Sequence, residues 1–251
     1  MADTTIVPTP SHQIGCAELP PGMSRPKYFE KLSLLEISTF YDKSPGKKAV
    51  RTWREKSPDS AVYTLLAPSA LSDGKNGKSF PLGEQSEEQV IALAESCKIL
   101  RAEALVFRTP ATFTPSANNR ARMTKFFSEI ATSERFGDTA LVWDPDGLWE
   151  PKGIASMADS LNLLVALDPL AQDPLDEHSM FVAEQMAKGR AYLRISGLGH
   201  SRRRYESYEM EMIAEMIMQL EKCWVLFAHT GKYPDALAMA RELVTYAEME
   251  A

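Results

Sequence analysis

Eight short apolar or β-branched runs alternate with longer segments of helical period, and this alternation constrains the fold more than any other feature of the chain. Such runs, separated by amphipathic stretches, are the pattern of parallel strands joined by crossover helices. The strand candidates are Gln13–Glu18, Ser33–Thr39, Ala61–Ala67, Ala104–Arg108, Thr139–Trp143, Asn162–Leu167, Ala191–Ile195 and Cys223–Ala228. Spread over 251 residues, they leave about 31 residues per unit, near the size of one βα repeat. The expected fold class is therefore α/β: a single TIM-like (β/α)8 barrel over residues 1–251, with 1–11 as a flexible lead-in.

Between the strands, apolar residues recur at helical spacing: Val90, Leu93, Ala94 and Cys97; Met123, Phe126, Phe127 and Ile130; Ile213, Met216, Ile217 and Leu220; and Leu237, Ala240, Leu243 and Val244. Each face would cover a barrel wall. The methionines at 210, 212, 216 and 218 read as core filler in a crossover helix rather than as a binding groove. Ser86 with Gln89 has the form of a capping box, and Ser44-Pro45 would place proline in a helix's first turn. The crossovers at 150–160 and 168–177 look degenerate, the second because it holds two prolines and four acidic residues. The Gly-, Lys- and Ser-rich stretch Ser72–Gln85 reads as an exposed mobile loop.

Composition narrows the function classes. The chain is 44% hydrophobic and 25% charged, which excludes disorder and collagen-like repeats. Its formal net charge of −6 argues against a protein that wraps nucleic acid or anionic lipid. The longest clean apolar run, Cys223–Ala228, falls far short of the roughly 18 residues a membrane span needs, so no membrane partner is expected. No positive segment followed by an apolar stretch opens the chain, so a secretory signal is not expected. Three scattered cysteines fit neither a disulfide framework nor paired zinc ligands, which makes a cytoplasmic location the expectation. The four histidines show no HExxH spacing, so no metal site is assigned, and the sequence names no cofactor and no oligomeric state.

A barrel interior is packed, so chemistry is confined to the C-terminal ends of the strands and the loops after them. Those ends carry Glu18, Glu36, Tyr41, Arg108, Asp144, Asp168, Arg194, Ser196 and His229. Glu36 interrupts the apolar run Leu34-Leu35-Glu36-Ile37, where an unpaired carboxylate would cost on the order of several kcal/mol. Arg194, in Tyr192-Leu193-Arg194-Ile195, poses the same problem with opposite sign. Strand alternation would aim both inward, to form an internal ion pair or to hold a ligand together. His229 is a general acid or base candidate by its intrinsic pKa, or else a hydrogen-bonded structural residue.

The loop Gly197-Leu198-Gly199-His200-Ser201-Arg202-Arg203-Arg204 is the strongest anion-binding signal in the chain. Glycines let backbone amides approach an oxyanion, and barrels often bind phosphate near strands seven and eight. The bland alternative is a solvated basic turn offsetting Glu206, Glu209 and Glu211.

The run Tyr28-Phe29 through Leu35-Glu36-Ile37-Ser38-Thr39-Phe40-Tyr41, with Trp53, Ser57-Pro58 and Ala67-Pro68, resembles the YecE-like family, domain of unknown function 72. Tyr192-Leu193-Arg194, Gly197, Tyr205 and Tyr208 extend the resemblance, which covers most of the chain with gaps in the middle. It implies a TIM-like barrel and brings no settled reaction. Glu36, Tyr41, Trp53, Asp168 and Arg194 match the family pattern; Leu66 stands where the family has lysine, Ser196 where it has histidine, and Ala228 and His229 where it has paired asparagines. The Glu-x-Arg of the family's fifth strand is replaced by Asp144 in Val142-Trp143-Asp144-Pro145. Loss of a strand-end lysine removes a cation that could stabilise developing negative charge.

The leading expectation is a small-molecule enzyme acting on a phosphorylated or polyol-like compound. Glu36, Asp168 and His229 are its catalytic candidates. Arg194, Tyr41, Asp144, Ser196, Arg202, Arg203 and Arg204 are candidates for binding an anionic ligand. The alternative is a diverged, catalytically silent barrel that binds a ligand or a protein. Cleavage or repair of nucleic acid is the third reading; the arginine patch would serve it, while the absence of clustered metal ligands counts against it.

Overall fold

The computed structural model describes residues 11–74, 78–171, 177–197 and 204–250. Its strands are β1 (His12–Ala17), β2 (Leu34–Ile37), β3 (Val62–Leu66), β4 (Ala102–Arg108), β5 (Ala140–Asp144), β6 (Leu164–Leu167), β7 (Arg190–Ile195) and β8 (Lys222–Phe227). They follow one another in chain order around a closed barrel, so the expected eight-stranded α/β barrel is observed. Each expected strand lies within a few residues of its observed bounds. The second is shorter than Ser33–Thr39 because Thr39–Asp42 already turns as a helix. The lead-in expected at 1–11 falls, except for Ser11, outside the described residues.

The described residues fall into two compact units, one drawn from within 1–36, 56–62 and 167–251, the other from within 37–55 and 63–166. In the first, β7 pairs with β8, β8 with β1 and β1 with β2, all parallel. The strands read as near-continuous apolar runs because both faces are covered. The register sets Ala17 beside Glu36 and Arg194 beside Leu226, bringing the C-terminal ends of β1, β2, β7 and β8 to one level. A side chain ties β1 to β2: the buried Tyr28 hydroxyl accepts from Cys16 N at 2.8 Å and donates to Leu34 O at 2.7 Å. Tyr28 stands on the five-residue helix Arg25–Phe29, which carries proline in its first turn.

Two helices of this unit depart from expectation. The capping box lies at Glu206 and Glu209, before helix Ser207–Met218, where each side chain accepts from the other's backbone amide. Ser86, expected in that role, is instead buried inside helix Glu84–Leu100, whose N-cap is Gly83. The last helix, Lys232–Glu250, buries Asp235, Ala236, Met239 and Ala240, so its inward stripe is rotated from the expected one and shares only Ala240 with it.

In the second unit β3, β4, β5 and β6 pair in order, again parallel. Its core is aromatic. Phe80 lies 5.2 to 5.3 Å, ring centre to ring centre, from Phe113, Phe126 and Phe127, and Trp149 meets Trp143 edge-on at 4.9 Å. Such pairs add about 0.5–1.5 kcal/mol each beyond the area they bury. Phe126, Phe127 and Ile130 all face inward because 126–130 is a single π-turn, closed by Ala131 N donating to Phe126 O at 2.8 Å.

The exposed loop expected over Ser72–Gln85 is corrected here. Ser69–Ser72 is a helical turn, Ser79 and Phe80 are buried, and Phe80 N donates to Leu71 O at 2.9 Å. Residues 75–77 lie outside the described set. Phe80 holds φ +56°, uncommon for a bulky residue, and its fully buried ring offsets that strain. Pro45 precedes helix Lys47–Glu55 rather than lying in its first turn. The crossover at 150–160 forms the helix Pro151–Ser160, and the next one forms Glu177–Met186.

Candidate functional site

β2 and β7 deliver the innermost group. Residues two apart in a strand share a face, so Tyr192 and Arg194 point the same way from β7. Both reach Glu36, whose side chain is wholly buried. The Tyr192 hydroxyl donates to Oε2 at 3.0 Å, Arg194 Nη2 donates to Oε1 at 3.2 Å, and Arg194 Nε lies 3.5 Å from Oε2. The two charges that interrupt apolar strands therefore meet as an ion pair, with the Arg194 side chain only 10% exposed.

Asp168 stands directly after β6. Its Oδ1 accepts from Leu170 N at 3.1 Å and its Oδ2 from Ser196 N at 2.9 Å, so the backbone after β7 clamps a carboxylate that begins the loop after β6. His178 Nε2 lies 2.7 Å from the Asp168 carbonyl, which can only accept, so that nitrogen carries the proton. Burial pushes the Asp168 carboxyl up; the two amide hydrogen bonds and the nearby His178 and His229 pull the other way without cancelling it.

His229 follows β8 by two residues. Its Nδ1 accepts from Gly231 N at 3.1 Å, which puts the proton of the neutral ring on Nε2, facing Asp235 Oδ2 at 3.5 Å. Burial lowers the pKa of this imidazole, opposed by Asp235 and Asp168. Arg204 Nε donates to the other Asp235 oxygen at 3.1 Å. Gly197, at φ +82°, gives His229 its room, since a Cβ there would lie 2.7 Å from the His229 Cβ. Tyr205 packs edge-on to the imidazole at 5.3 Å, and burial followed by Asp168 pushes its phenol up to about 12. Lys232 donates to Ala17 O at the end of β1.

Of the remaining candidates, Tyr41 and Asp144 belong to the second unit, and Arg202 and Arg203 lie outside the described residues. Tyr41 donates to Asp73 Oδ2 at 2.8 Å, and burial followed by that hydrogen bond pushes its phenol up to about 12. Asp144 and Arg108 end neighbouring strands and approach to 3.7 Å. Leu66 is buried at the end of β3. Arg202 and Arg203 lie outside the described residues, as does most of the glycine-arginine loop. Arg204, its last arginine, is engaged with Asp235.

Sequence reasoning missed Tyr192 and Asp235. Tyr192 was within reach of it, because the period that turns Arg194 inward turns Tyr192 inward as well. Asp235 carries no such signal: a carboxylate in a helix's first turn is explained by the helix dipole alone. Among the described residues no group of three or more His, Cys, Asp or Glu could hold a metal ion, and no helix is long and apolar enough to cross a membrane.

The family described as "Protein of unknown function DUF72" matches residues 18–251. The fold is similar to that of a DUF72 family protein (EF0366) from Enterococcus faecalis V583, with a TM-score of 0.71 at 17% identity over 93% of this chain and 95% of that one. A DUF72 family protein (TM1631) from Thermotoga maritima MSB8 matches with a TM-score of 0.62 at 13% identity, over 96% of this chain and all of its own. A xylose isomerase domain protein from Planctomyces limnophilus matches at 0.50, with 10% identity over 88% of each chain. No curated protein matches. At these identities the likeness carries the fold alone.

Proposed function

Since the chain belongs to the DUF72 family, whose function is unknown, we propose that it is a single-domain small-molecule enzyme acting on a phosphorylated or polyol-like compound at the C-terminal ends of its strands. Asp168 is the acid–base group of this reading, and its setting is the observation that carries it. Both its oxygens are aimed by backbone amides, which fixes the geometry, while burial raises its pKa toward the range useful for proton transfer. Glu36 serves by holding the Arg194 guanidinium and the Tyr192 hydroxyl in fixed positions. A cation fixed in a partly dry site favours an anionic or oxygen-rich ligand. His229, with both ring nitrogens directed into the protein, acts on the charge of Asp168 rather than on substrate.

The second reading, a silent ligand-binding barrel, is favoured by a different observation. Glu36 is matched by Arg194 and Asp235 by Arg204, both within the chain, and buried Leu66 replaces the lysine that the resemblance implies. The test is thermal unfolding with inorganic phosphate, a panel of sugar phosphates and a panel of polyols, with NMR of the same mixtures for turnover. A ligand present at 100 times its Kd raises stability by about 2.7 kcal/mol. The enzyme reading expects stabilisation by one compound class and its consumption, lost in a folded Asp168→Asn variant. Stabilisation without consumption selects the silent barrel, and no stabilisation by any class overturns both.

A further inference from the structure

Helices Glu177–Met186 and Ser207–Met218 border a cleft of about 490 Å³, lined by Ala183, Met186 and Ala187 on one side and by Glu215, Met216 and Leu220 on the other. Residues three or four apart share a helix face, so Met180 continues the first wall, and Met212 and Tyr208 continue the second. These three are among the most exposed large apolar side chains of the described residues, at 65%, 40% and 62%. The methionine run thus divides: Met210 enters the core, as expected of core filler, while Met212 turns to solvent along the groove.

The charge on the two walls has one sign, with Lys188, bonded to Gln185 Oε1 at 2.9 Å, as the cation at the groove's end. The two helices carry Glu177, Glu184, Glu209, Glu211 and Glu215 and not one lysine or arginine. An anionic lipid surface is repelled by such a face, and a second copy pairing the same face would set five further carboxylates against these five. Unbranched, polarizable methionines adapt to varied apolar partners, and an apolar groove between helices accepts an amphipathic helix along its axis. At 1.5 Å per residue, walls of 10 and 12 residues run about 15–18 Å, enough for roughly three turns of such a helix.

We propose that this groove docks a cationic amphipathic helix of a partner protein, its apolar stripe on Met180, Tyr208 and Met212 and its lysines or arginines against Glu184, Glu211 and Glu215. The probe is a fluorescein-labelled Leu/Lys peptide of about 18 residues with leucines at helical spacing, long enough to fold on contact. Controls are a scrambled peptide of the same composition and a Leu/Glu counterpart, all read by fluorescence anisotropy on the full chain. The patterned peptide is expected to bind at least about tenfold more tightly than the scrambled one, and Tyr208→Ser/Met212→Ser and Glu211→Lys/Glu215→Lys each to weaken it by about tenfold or more. Glu88→Lys, on an exposed position elsewhere, leaves binding unchanged. Hydrogen exchange on the unmodified chain with peptide bound is expected to slow over 177–190 and 207–220.

Equal binding of the scrambled peptide, equal weakening by Glu88→Lys, or unchanged exchange in those segments overturns the proposal. So does a dimer in sedimentation that Tyr208→Ser/Met212→Ser dissolves, which would give the face to a second copy.

Discussion

Replacing Glu36 by glutamine removes one charge from a buried ion pair of the first unit. The carboxylate is fully buried and the Arg194 side chain is 10% exposed, so the guanidinium loses its counter-charge in a poorly solvated place. Breaking a buried pair from one side costs about 3–5 kcal/mol. Glutamine keeps an oxygen that can accept one of the bonds from Tyr192 and Arg194, which puts Glu36→Gln near the lower end, about 3 kcal/mol. For a chain of this length that corresponds to a fall in Tm of about 6–12 °C. Arg194→Met strands the carboxylate instead and sits toward the upper end. Glu36→Leu/Arg194→Met removes both charges and costs only the carboxylate acceptor of the Tyr192 hydroxyl, about 1–3 kcal/mol, so against singles of about 3–5 kcal/mol each the cycle through Glu36→Leu and Arg194→Met yields a coupling of about 3 kcal/mol or more. Urea unfolding followed by the fluorescence of buried Trp143 and Trp224 measures the parent and the four variants. Single variants within about 1 kcal/mol of the parent, or a double variant that merely sums the singles, would refute the reasoning, because the pair would then be solvated or uncoupled.

Gly197→Ala is expected to lower Tm by about 2–10 °C, from a left-handed φ and the 2.7 Å approach to the His229 Cβ; in a His229→Gly background, which removes that Cβ, the same change leaves only the backbone cost of about 1–2 kcal/mol. His229 titrates below its ordinary 6.5, so the unfolded chain takes up the proton first. The stability this residue contributes is then full above about pH 6.5 and is lost as the pH falls below it. An NMR titration of the imidazole tests this, and a midpoint above 6.5 would reverse the sign. Phe80→Ala is expected to cost about 3–5 kcal/mol in a urea melt, whereas a loss below about 1 kcal/mol would mean that residues 79–80 are not docked.

The barrel was readable because parallel strands covered on both faces must be apolar for four to seven residues at a stretch, and the segments between them keep a helical period. Phe80 was not readable: one aromatic among Gly, Lys and Ser has no period, and only the rings it meets, from segments dozens of residues away, turn that stretch inward. The last helix was misjudged in rotation because its apolar period runs through Leu237, Ala240, Leu243 and Val244, while Asp235, which adds nothing to an apolar period, is drawn inward beside His229 and Arg204. Glu36 and Arg194 stood out because each breaks an apolar strand, and the burial that made them conspicuous is what brings them together. The amides that hold Asp168 come from Leu170 and Ser196, and backbone donors leave no trace in residue identity.

The phenol of Tyr28 has a consequence for the timing of local motions. It relays a hydrogen bond from the Cys16 amide on β1 to the Leu34 carbonyl on β2, so each bond polarises the next and the two strands share a link that neither owns. When the short helix Arg25–Phe29 lifts, that link is severed on both sides at once. The Cys16 amide is therefore expected to exchange its proton with solvent on the clock of the helix rather than of its strand, so that a single amide in a hydrogen-exchange measurement reports whether the first crossover is latched.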